Sequence, residues 1–444
     1  MIADERMSVI AGAGARGRRV AFRLVDSVRG NTLQQLRSIE SFYASDPLEQ
    51  RRTIDQRVRE VLRTARQAYR TVLGRTLPES DHLVDWPLLA KSDVKRLAHT
   101  ALASGVRGGT IVTTSGSTGT PLQLPLTAIR AARRSADILY FTGWCGYRVG
   151  DPHAYIRISE GKSRLTAWLQ NELHIPYERI DHAWLEGAIA RLSERPLRVL
   201  IGYASALDQL ARHAVKHGGS WFFDIGSVLT IAEPLTDDAR KSIREAFGRE
   251  PRSRYATQEV GVVAQECTHG QLHINTASIV VELLDPSDRV IEQPDQLGRV
   301  VLTDLMSHHV PLVRYELGDL ARWGPDPCGC GRPGPTLASI EGRTIDVVQA
   351  VDGTMISGFR IHSAFRGART IEEFRFHQLD EGTYRVLYKA TGAGGDTQEE
   401  IASVKDELVG LLGRGAMIDL LEVEEIPRDP SGKRTYVRDL RKAS

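Results

Sequence analysis

Apolar residues recur along the chain at two spacings, and together they predict alternating helices and strands. Between residues 33 and 73, Ile54, Val58, Leu62 and Ala65 lie three or four positions apart, which predicts helical structure over that stretch. Short apolar runs bounded by turn residues predict strands. The predicted helices include 128–140, 204–217 and 237–247, and the predicted strands include 197–202 and 227–231. This alternation favours an α/β domain.

The pattern changes in the second half of the chain. Residues 279–284 and 298–304 read as strands of an antiparallel layer. Two further strands, a helix and a strand are then predicted at 372–376, 384–389, 399–412 and 418–423. This order within about 100 residues predicts a small, separate α+β domain. We therefore expect a large N-terminal domain over 1–342 and a small, mobile C-terminal domain over 343–444.

Composition indicates an ordinary globular protein. The chain has 444 residues, of which 41% are hydrophobic and 26% charged, and its net charge is +2. This balance does not favour a nucleic-acid partner or an acidic membrane surface. No stretch approaches the roughly 20 apolar residues that would span a bilayer, and residues 1–30 do not have the order of a signal peptide. We therefore expect a cytoplasmic protein with neither nucleic-acid nor membrane partners.

The most informative motif is a run of glycines and hydroxyl residues from 113 to 121, Thr-Thr-Ser-Gly-Ser-Thr-Gly-Thr-Pro. Gly116 and Gly119 let the backbone turn and bring its N–H groups close to a ligand. Hydroxyls that can donate to phosphate oxygens are carried by Ser115, Ser117, Thr118 and Thr120. No lysine occupies the position that a P-loop requires. The alternative is a flexible polar hairpin with no ligand.

Further motifs follow this loop in a characteristic order. They are Gly202–Leu207, Ala232–Leu235, Tyr255–Gly261, Tyr315–Asp319, Gly342–Arg343 with Asp346, and Pro430–Lys433. In series they resemble the motifs of the adenylate-forming superfamily, the acyl- and aryl-CoA synthetases and adenylation domains. The branch that is most similar is that of phenylacetate–CoA ligases and capsule-biosynthesis proteins. The resemblance covers about residues 80 to 440 and implies an α/β N-terminal domain with mixed sheets, joined by a hinge to a small α+β domain.

The resemblance implies an enzyme that joins a carboxylic acid, expected to be aromatic, to AMP and then passes the acyl group to coenzyme A. In that reaction Ser115 to Thr120 would hold the ATP phosphates. Lys433 would bridge the carboxylate and the α-phosphate as a mobile point charge. On position alone, Lys433 would be a surface lysine in a tail. One departure from the family pattern is Ile345, where relatives often carry an acidic residue, and it bears on the hinge assignment near Asp346.

The remaining nucleotide contacts are assigned in the same way. Glu259 would ligate Mg²⁺ as a hard oxygen donor, Thr257 would contact the α-phosphate, and Asp319 would accept the ribose hydroxyls. The adenine side would be formed by Tyr255 with Ala232, Glu233 and Pro234, and Arg343 would reach ribose or phosphate. The alternatives are a surface carboxylate for Glu259, a turn residue for Asp319 and a solvated linker residue for Arg343.

Cysteine spacing points to a metal. Cys267, His273, Cys328 and Cys330 make a tetrahedral donor set that suits structural Zn²⁺, and the resemblance supports zinc in this kind of arrangement. His269 is the rival of His273. The alternative is two unrelated loops that happen to carry cysteines.

The acid and the acyl acceptor are less constrained by sequence. Tyr140, Trp144 and Tyr203 are expected to line an aromatic acid pocket, or else to be core residues. The acceptor is expected to be coenzyme A, with an amine or a carrier-protein pantetheine as the alternative. A non-catalytic nucleotide-binding protein is the rival from another class. The oligomeric state is open between monomer and homodimer.

Overall fold

The computed structural model describes most of the chain, with gaps. The described residues are 12–29, 31–105, 109–113, 122–157, 164–177, 180–217, 223–294, 296–343, 347–353, 355–357, 361, 364–365, 368, 370–390, 397–426 and 437–442.

The helices agree with the apolar spacing, with one correction. They are α1 Gly12–Arg29, α2 Thr32–Ala44, α3 Pro47–Ala68, α4 Lys91–Ser104, α5 Ala128–Gly143, α6 Arg164–Gln170, α7 His182–Ser193, α8 Ala204–Lys216, α9 Asp237–Phe247 and α10 Thr397–Leu412. The helical structure predicted over 33–73 is confirmed except at residues 45 and 46, where it is divided into two helices. The chain breaks after Ala44 because Asp46 caps a new helix, accepting hydrogen bonds from the N–H groups of Leu48 and Glu49, and Pro47 occupies the first helical position.

The strands form one large mixed sheet and three smaller sheets among the described residues. They are β1 Thr110–Thr113, β2 Gln123–Leu126, β3 His153–Arg157, β4 Glu172–Pro176, β5 Leu197–Tyr203, β6 Ile225–Ile231, β7 Arg252–Thr257, β8 Gly261–Glu266, β9 Leu272–Ile274, β10 Ile279–Leu284, β11 Leu297–Asp304, β12 Tyr315–Trp323, β13 Thr336–Arg343, β14 Val347–Gln349, β15 Met355–Ser357, β16 Ile371–Asp380, β17 Thr383–Ala390, β18 Met417–Glu422 and β19 Val437–Asp439.

The large sheet has a parallel half and an antiparallel half. Its strand order is β10-β11-β12-β13-β9-β8-β7-β6-β5-β3-β4. One half of this order is parallel and consists of the adjacent strands β7, β6, β5, β3 and β4. In the other half, from β10 to β7 in the same order, every adjacent pair is antiparallel. Ligands bind beyond the carboxyl ends of parallel strands, so the turns that follow β5, β6 and β7 are where a site is expected.

The small C-terminal sheet confirms the predicted strand–strand–helix–strand order. Strand β17 pairs antiparallel with β16 and parallel with β18, and β19 adds a fourth strand beside β16. Helix α10 contributes Val404, Leu408 and Leu412 to a core shared with Phe376 and Tyr384. Residues 344–346 lie outside the described residues, and the domain boundary at 342/343 stays a prediction.

Two other clusters form the core of the large sheet. One joins α3, α4 and the antiparallel strands, and the other joins α7, α8 and the parallel strands. Among the described helices, none has both the length and the apolar character to cross a membrane.

Candidate active site

A tight turn after β7 presents the residues predicted to handle ATP and magnesium. Thr257 pairs with Gly261, so residues 258–260 form the turn. Gly261 has φ +84°, a left-handed conformation that favours glycine. The Thr257 hydroxyl accepts a hydrogen bond of 3.3 Å from the Val260 N–H. The turn therefore leaves Glu259 at the surface, half-exposed.

Helix α5 holds this turn through two arginines. The Arg134 guanidinium donates to the backbone oxygen of Gln258 at 2.6 Å and to its side-chain oxygen at 3.2 Å. Arg130 donates to the Val260 carbonyl at 2.7 Å and forms a 2.9 Å ion pair with Asp304 on β11. Sequence reasoning missed both arginines, although their spacing of four residues on a predicted helix places them on one face.

The Tyr315–Asp319 segment meets the turn from the other side. The Tyr255 hydroxyl donates to Asp319 Oδ2 at 2.5 Å, and the Tyr315 hydroxyl donates to Glu259 Oε1 at 3.3 Å. Gly318 adopts φ +78°, and the register between β12 and β13 is irregular after Asp319. Such irregularities change the direction in which the side chains of a strand point. Two segments about 60 residues apart in sequence thus share one site. The contact of Tyr315 with Glu259 was not predicted.

The backbone before Tyr315 is strained and firmly held. Arg314 adopts φ +49°, which is costly for a residue with a side chain. Its guanidinium donates to the Trp86 carbonyl at 2.8 Å and to Glu282 at 3.2 Å. Burial raises the pKa of Glu282, and the Arg314 charge opposes that rise. These contacts fix the position from which Tyr315 reaches Glu259.

The segment after β6 reaches the start of α8. Ala232 has φ +67°, and Glu233 Oε2 accepts a 2.8 Å hydrogen bond from the Ser205 N–H. A carboxylate is favourable there because the first N–H groups of a helix have no helical partner. Burial, followed by the nearby Glu233 charge, raises the pKa of Tyr203 at the end of β5. The adenine-side role of Ala232, Glu233 and the exposed Pro234 stays a prediction.

The four predicted zinc ligands come together. Their ligand atoms lie within 4.8 Å of one another. Cys267 and Cys328 have their sulfurs 3.8 Å apart, and Cys330 Sγ lies 3.2 Å from His273 Nε2. Burial lowers the pKa of His273, which favours the neutral, metal-binding imidazole. This chemistry fits a tetrahedral zinc ion. The rival His269 donates its backbone N–H to Cys267 Sγ at 3.3 Å, while its ring Nδ1 lies 3.3 Å from the Thr268 hydroxyl.

Comparison with known proteins finds relatives in sequence and a similar solved structure. No family model matches the chain. Protein CapK of Staphylococcus aureus is 24% identical over 79% of this chain and 78% of its own. Phenylacetate-coenzyme A ligase of Pseudomonas putida is 27% identical over 48% of this chain and 50% of its own. A solved 2-hydroxyisobutyryl-CoA ligase, in complex with an acyl-AMP, superposes with a TM-score of 0.70 at 18% identity, over 90% of this chain and 92% of that one. The chain has the adenylate-forming fold. The resemblance predicted from the motifs is thereby confirmed.

The other predicted site residues are only partly placed. The phosphate loop (Ser115 to Thr120) and Lys433 lie outside the described residues. Arg343 pairs with Asp319 across β12 and β13, so the backbones of these two predicted ribose-contacting residues are neighbours. Their roles stay predictions.

The three aromatic residues expected at the acid pocket lie in different surroundings. Tyr140 stacks on Tyr43 with ring centroids 5.0 Å apart. Trp144 meets the His273 ring edge-on at 5.8 Å, beside the cysteine cluster. Tyr203 instead contacts Tyr177, with ring centroids 6.1 Å apart, at the point where β5 runs directly into α8. Cys145 is buried. Of the three aromatic residues, Tyr203 lies at the strand end where a substrate is expected, and the pocket stays a prediction.

Proposed function

We propose that this protein activates a carboxylic acid with ATP and transfers the acyl group to coenzyme A. The acid carboxylate attacks the α-phosphorus of ATP and pyrophosphate leaves. The thiol of coenzyme A then attacks the acyl carbonyl and AMP leaves. The observation that carries this proposal is the pair of contacts that join the Tyr255–Glu259 turn to the Tyr315–Asp319 segment. The likeness to a CoA ligase that binds an acyl-AMP supports it.

Tyr255 and Asp319 suit a nucleoside. The Asp319 carboxylate can accept hydrogen bonds from neighbouring ribose hydroxyls, while Tyr255 both donates to that carboxylate and offers an aromatic ring to adenine. Because the two side chains are already in contact, little conformational entropy is lost when the nucleoside binds.

Glu259 suits Mg²⁺. It is a half-exposed carboxylate, oriented at one oxygen by the Tyr315 hydroxyl, and hard oxygen donors are the ligands that this ion prefers. When bound, the ion would neutralise charge on the phosphates. Arg130 and Arg134 keep the turn in position by donating hydrogen bonds to its backbone oxygens.

The phosphate loop and Lys433 complete the proposed site from the sequence. The loop N–H groups and hydroxyls would cradle the phosphates, and Lys433 would stabilise the charge that develops between the carboxylate and the α-phosphorus. The acid is proposed to be aromatic, supported by the name of the Pseudomonas putida ligase, of which the chain covers half.

Structural Zn²⁺ belongs to the proposal as well. The donor set Cys267, His273, Cys328 and Cys330 ties the β8–β9 hairpin to the loop before β13. Four protein ligands leave no open position, so the ion would stabilise the fold and take no part in the reaction.

ATP–pyrophosphate exchange tests the adenylation step. A panel of aryl, aliphatic and amino acids is assayed with the wild type, with Glu259→Gln, and with Glu245→Gln, an exposed glutamate on α9, as the matched control. We expect exchange with an aryl acid in the wild type and the control, and a large loss in Glu259→Gln. Absence of exchange with every acid would contradict the proposal.

The acceptor is tested with the acid that supports exchange. Coenzyme A, amines and a pantetheinylated carrier protein are supplied in turn, and the products are identified by mass spectrometry. A thioester of coenzyme A is expected. Exclusive formation of an amide would assign the protein to amide ligases and leave the adenylation step standing.

A further inference from the structure

Three histidines converge on one face of the helix pair α7 and α8. His182 begins α7, His213 lies in the last turn of α8, and His217 caps its end. Their ligand atoms lie within 4.8 Å of one another. The ring centroids of His213 and His217 are 4.2 Å apart. The ring centroid of His182 lies 5.0 Å from that of His213 and 5.7 Å from that of His217. We propose that this histidine triad binds a divalent transition-metal ion of the Zn²⁺, Ni²⁺ or Cu²⁺ class.

Helix geometry explains the convergence. His213 and His217 are four residues apart and therefore project from the same face of α8. Asp181 caps α7, accepting a 2.9 Å hydrogen bond from the Trp184 N–H, and this sets where His182 lies. The two helices are held together by buried apolar residues, Ala188, Ile189 and Leu192 on α7 and Leu207, Leu210 and Ala214 on α8. The triad is thus mounted on a packed scaffold, as a metal site requires.

A carboxylate supports the triad. Glu186, one turn after His182 on α7, lies 2.5 Å from His213 Nε2. Metal-ligating histidines commonly make such a contact, because it fixes the ring orientation. His213 is buried, while His182 and His217 are exposed, so an ion can enter from solvent.

The donor set decides the class of ion. Imidazole suits Zn²⁺, Cu²⁺ and Ni²⁺, whereas Mg²⁺ and Ca²⁺ prefer oxygen ligands. A tetrahedral ion with bonds of about 2.1 Å has ligand atoms about 3.4 Å apart. Small side-chain rotations would bring the three rings to that spacing. Three protein ligands would leave one coordination position open to water.

The triad is separate from the proposed active site. It lies at the C-terminal end of α8, whereas Glu233 contacts Ser205 at the other end. Twelve residues of helix separate Ser205 from His217, which is about 18 Å at the usual rise. It also shares no residue with the cysteine cluster. The ion would therefore join two surface helices.

Metal titration tests the proposal. Metal-free protein is titrated with Zn²⁺, and the bound equivalents are counted by equilibrium dialysis and atomic absorption. The variants are His182→Gln and His217→Gln, with His99→Gln, an exposed histidine on α4, as the control. We expect each triad variant to weaken one equivalent by at least about 10- to 100-fold, the loss seen when even a supporting residue of a metal site is removed, and the control to bind as the wild type does.

Co²⁺ spectra separate this site from the cysteine cluster. A thiolate-to-cobalt charge-transfer band arises only from Co²⁺ bound at the cysteine cluster, so this band should persist in His217→Gln. The Co²⁺ ion bound at the histidine triad gives no such band, and its binding should be lost in this variant. The wild type, and not His217→Gln, should also show a higher thermal midpoint with Ni²⁺. The proposal would be overturned if the wild type and both triad variants bound the same number of Zn²⁺ ions with the same affinities.

Discussion

The buried ion pair between Arg130 and Asp304 provides the sharpest test of how the active-site turn is held. The two side chains are 2% and 1% exposed and lie 2.9 Å apart. Arg130→Met removes the positive charge but keeps most of the apolar volume. Asp304 is then left as an uncompensated buried charge, and the Val260 carbonyl loses its 2.7 Å hydrogen bond.

The expected cost follows from these two losses. Removing one partner of a buried pair typically costs about 3–5 kcal/mol, since the other charge stays desolvated. That is about a fifth or more of a typical total stability of roughly 5–15 kcal/mol. In the wild type, Asp304 Oδ1 accepts a 2.9 Å hydrogen bond from the Met306 N–H. A second change, Asp304→Asn, removes the unpaired charge and keeps a side-chain oxygen for this hydrogen bond. The double variant should therefore recover most of the loss, leaving about 1–2 kcal/mol for the missing bond to Val260.

Urea unfolding followed by tryptophan fluorescence measures this effect in the relevant domain. All six tryptophans lie between Trp86 and Trp323, so the signal reports the proposed large domain alone. The midpoint should fall strongly in Arg130→Met at an unchanged slope, and rise again in the double variant. A double variant no more stable than Arg130→Met would refute the reasoning, because the orphaned charge would then not be the cause.

Three further perturbations have definite outcomes. Tyr315→Phe removes the hydrogen-bond donor to Glu259 and should weaken Mg²⁺ binding by about 1–2 kcal/mol. The Mg²⁺ dependence of pyrophosphate exchange measures this effect. An unchanged Mg²⁺ requirement would contradict the proposed role of this contact. Cys328→Ser should release zinc, as counted by atomic absorption, and lower the thermal midpoint, whereas a wild type that retains no zinc after purification in zinc-containing medium would count against the site. Gly261→Ala should lower the free energy of unfolding by about 1–2 kcal/mol, because Gly261 has a left-handed φ of +84°. The control Gly187→Ala lies on a helix with nothing within 4 Å of the added carbon, and it should raise the free energy of unfolding by up to about 1 kcal/mol. Equal effects of the two variants in urea unfolding would exclude backbone strain as the cause.

Local patterns predicted most of the elements but not every break between them. The strand–strand–helix–strand order of the small domain follows from short-range periodicity, and the structure has it. Within the helical stretch predicted over 33–73, the apolar spacing does not show the break after Ala44, where Asp46 caps a new helix. An apolar repeat reports which face is buried and says little about where the chain turns.

The candidate site residues also divide into those that a local pattern indicates and those that it does not. Glu259, Tyr255 and Asp319 could be named from motifs because each motif is contiguous. Arg130 and Arg134 could not, since an arginine on a helix is usually solvated and nothing in the sequence says which turn it faces. The histidine triad was missed for the same reason, as His182 lies about 30 residues before its partners.

The sequence by itself determined the fold class and the order of the motifs, and it predicted a metal-binding cluster of three cysteines with either His273 or His269. Only the tertiary structure decided which motifs meet: Tyr255 with Asp319, Tyr315 with Glu259, and His273 rather than His269 with the cysteines. The physical reason is that motifs and periodicity are local properties of the chain. Contacts between distant segments depend on strand order, on bulges and on left-handed backbone positions such as Arg314 and Ala232, which are stable only when the whole fold holds them.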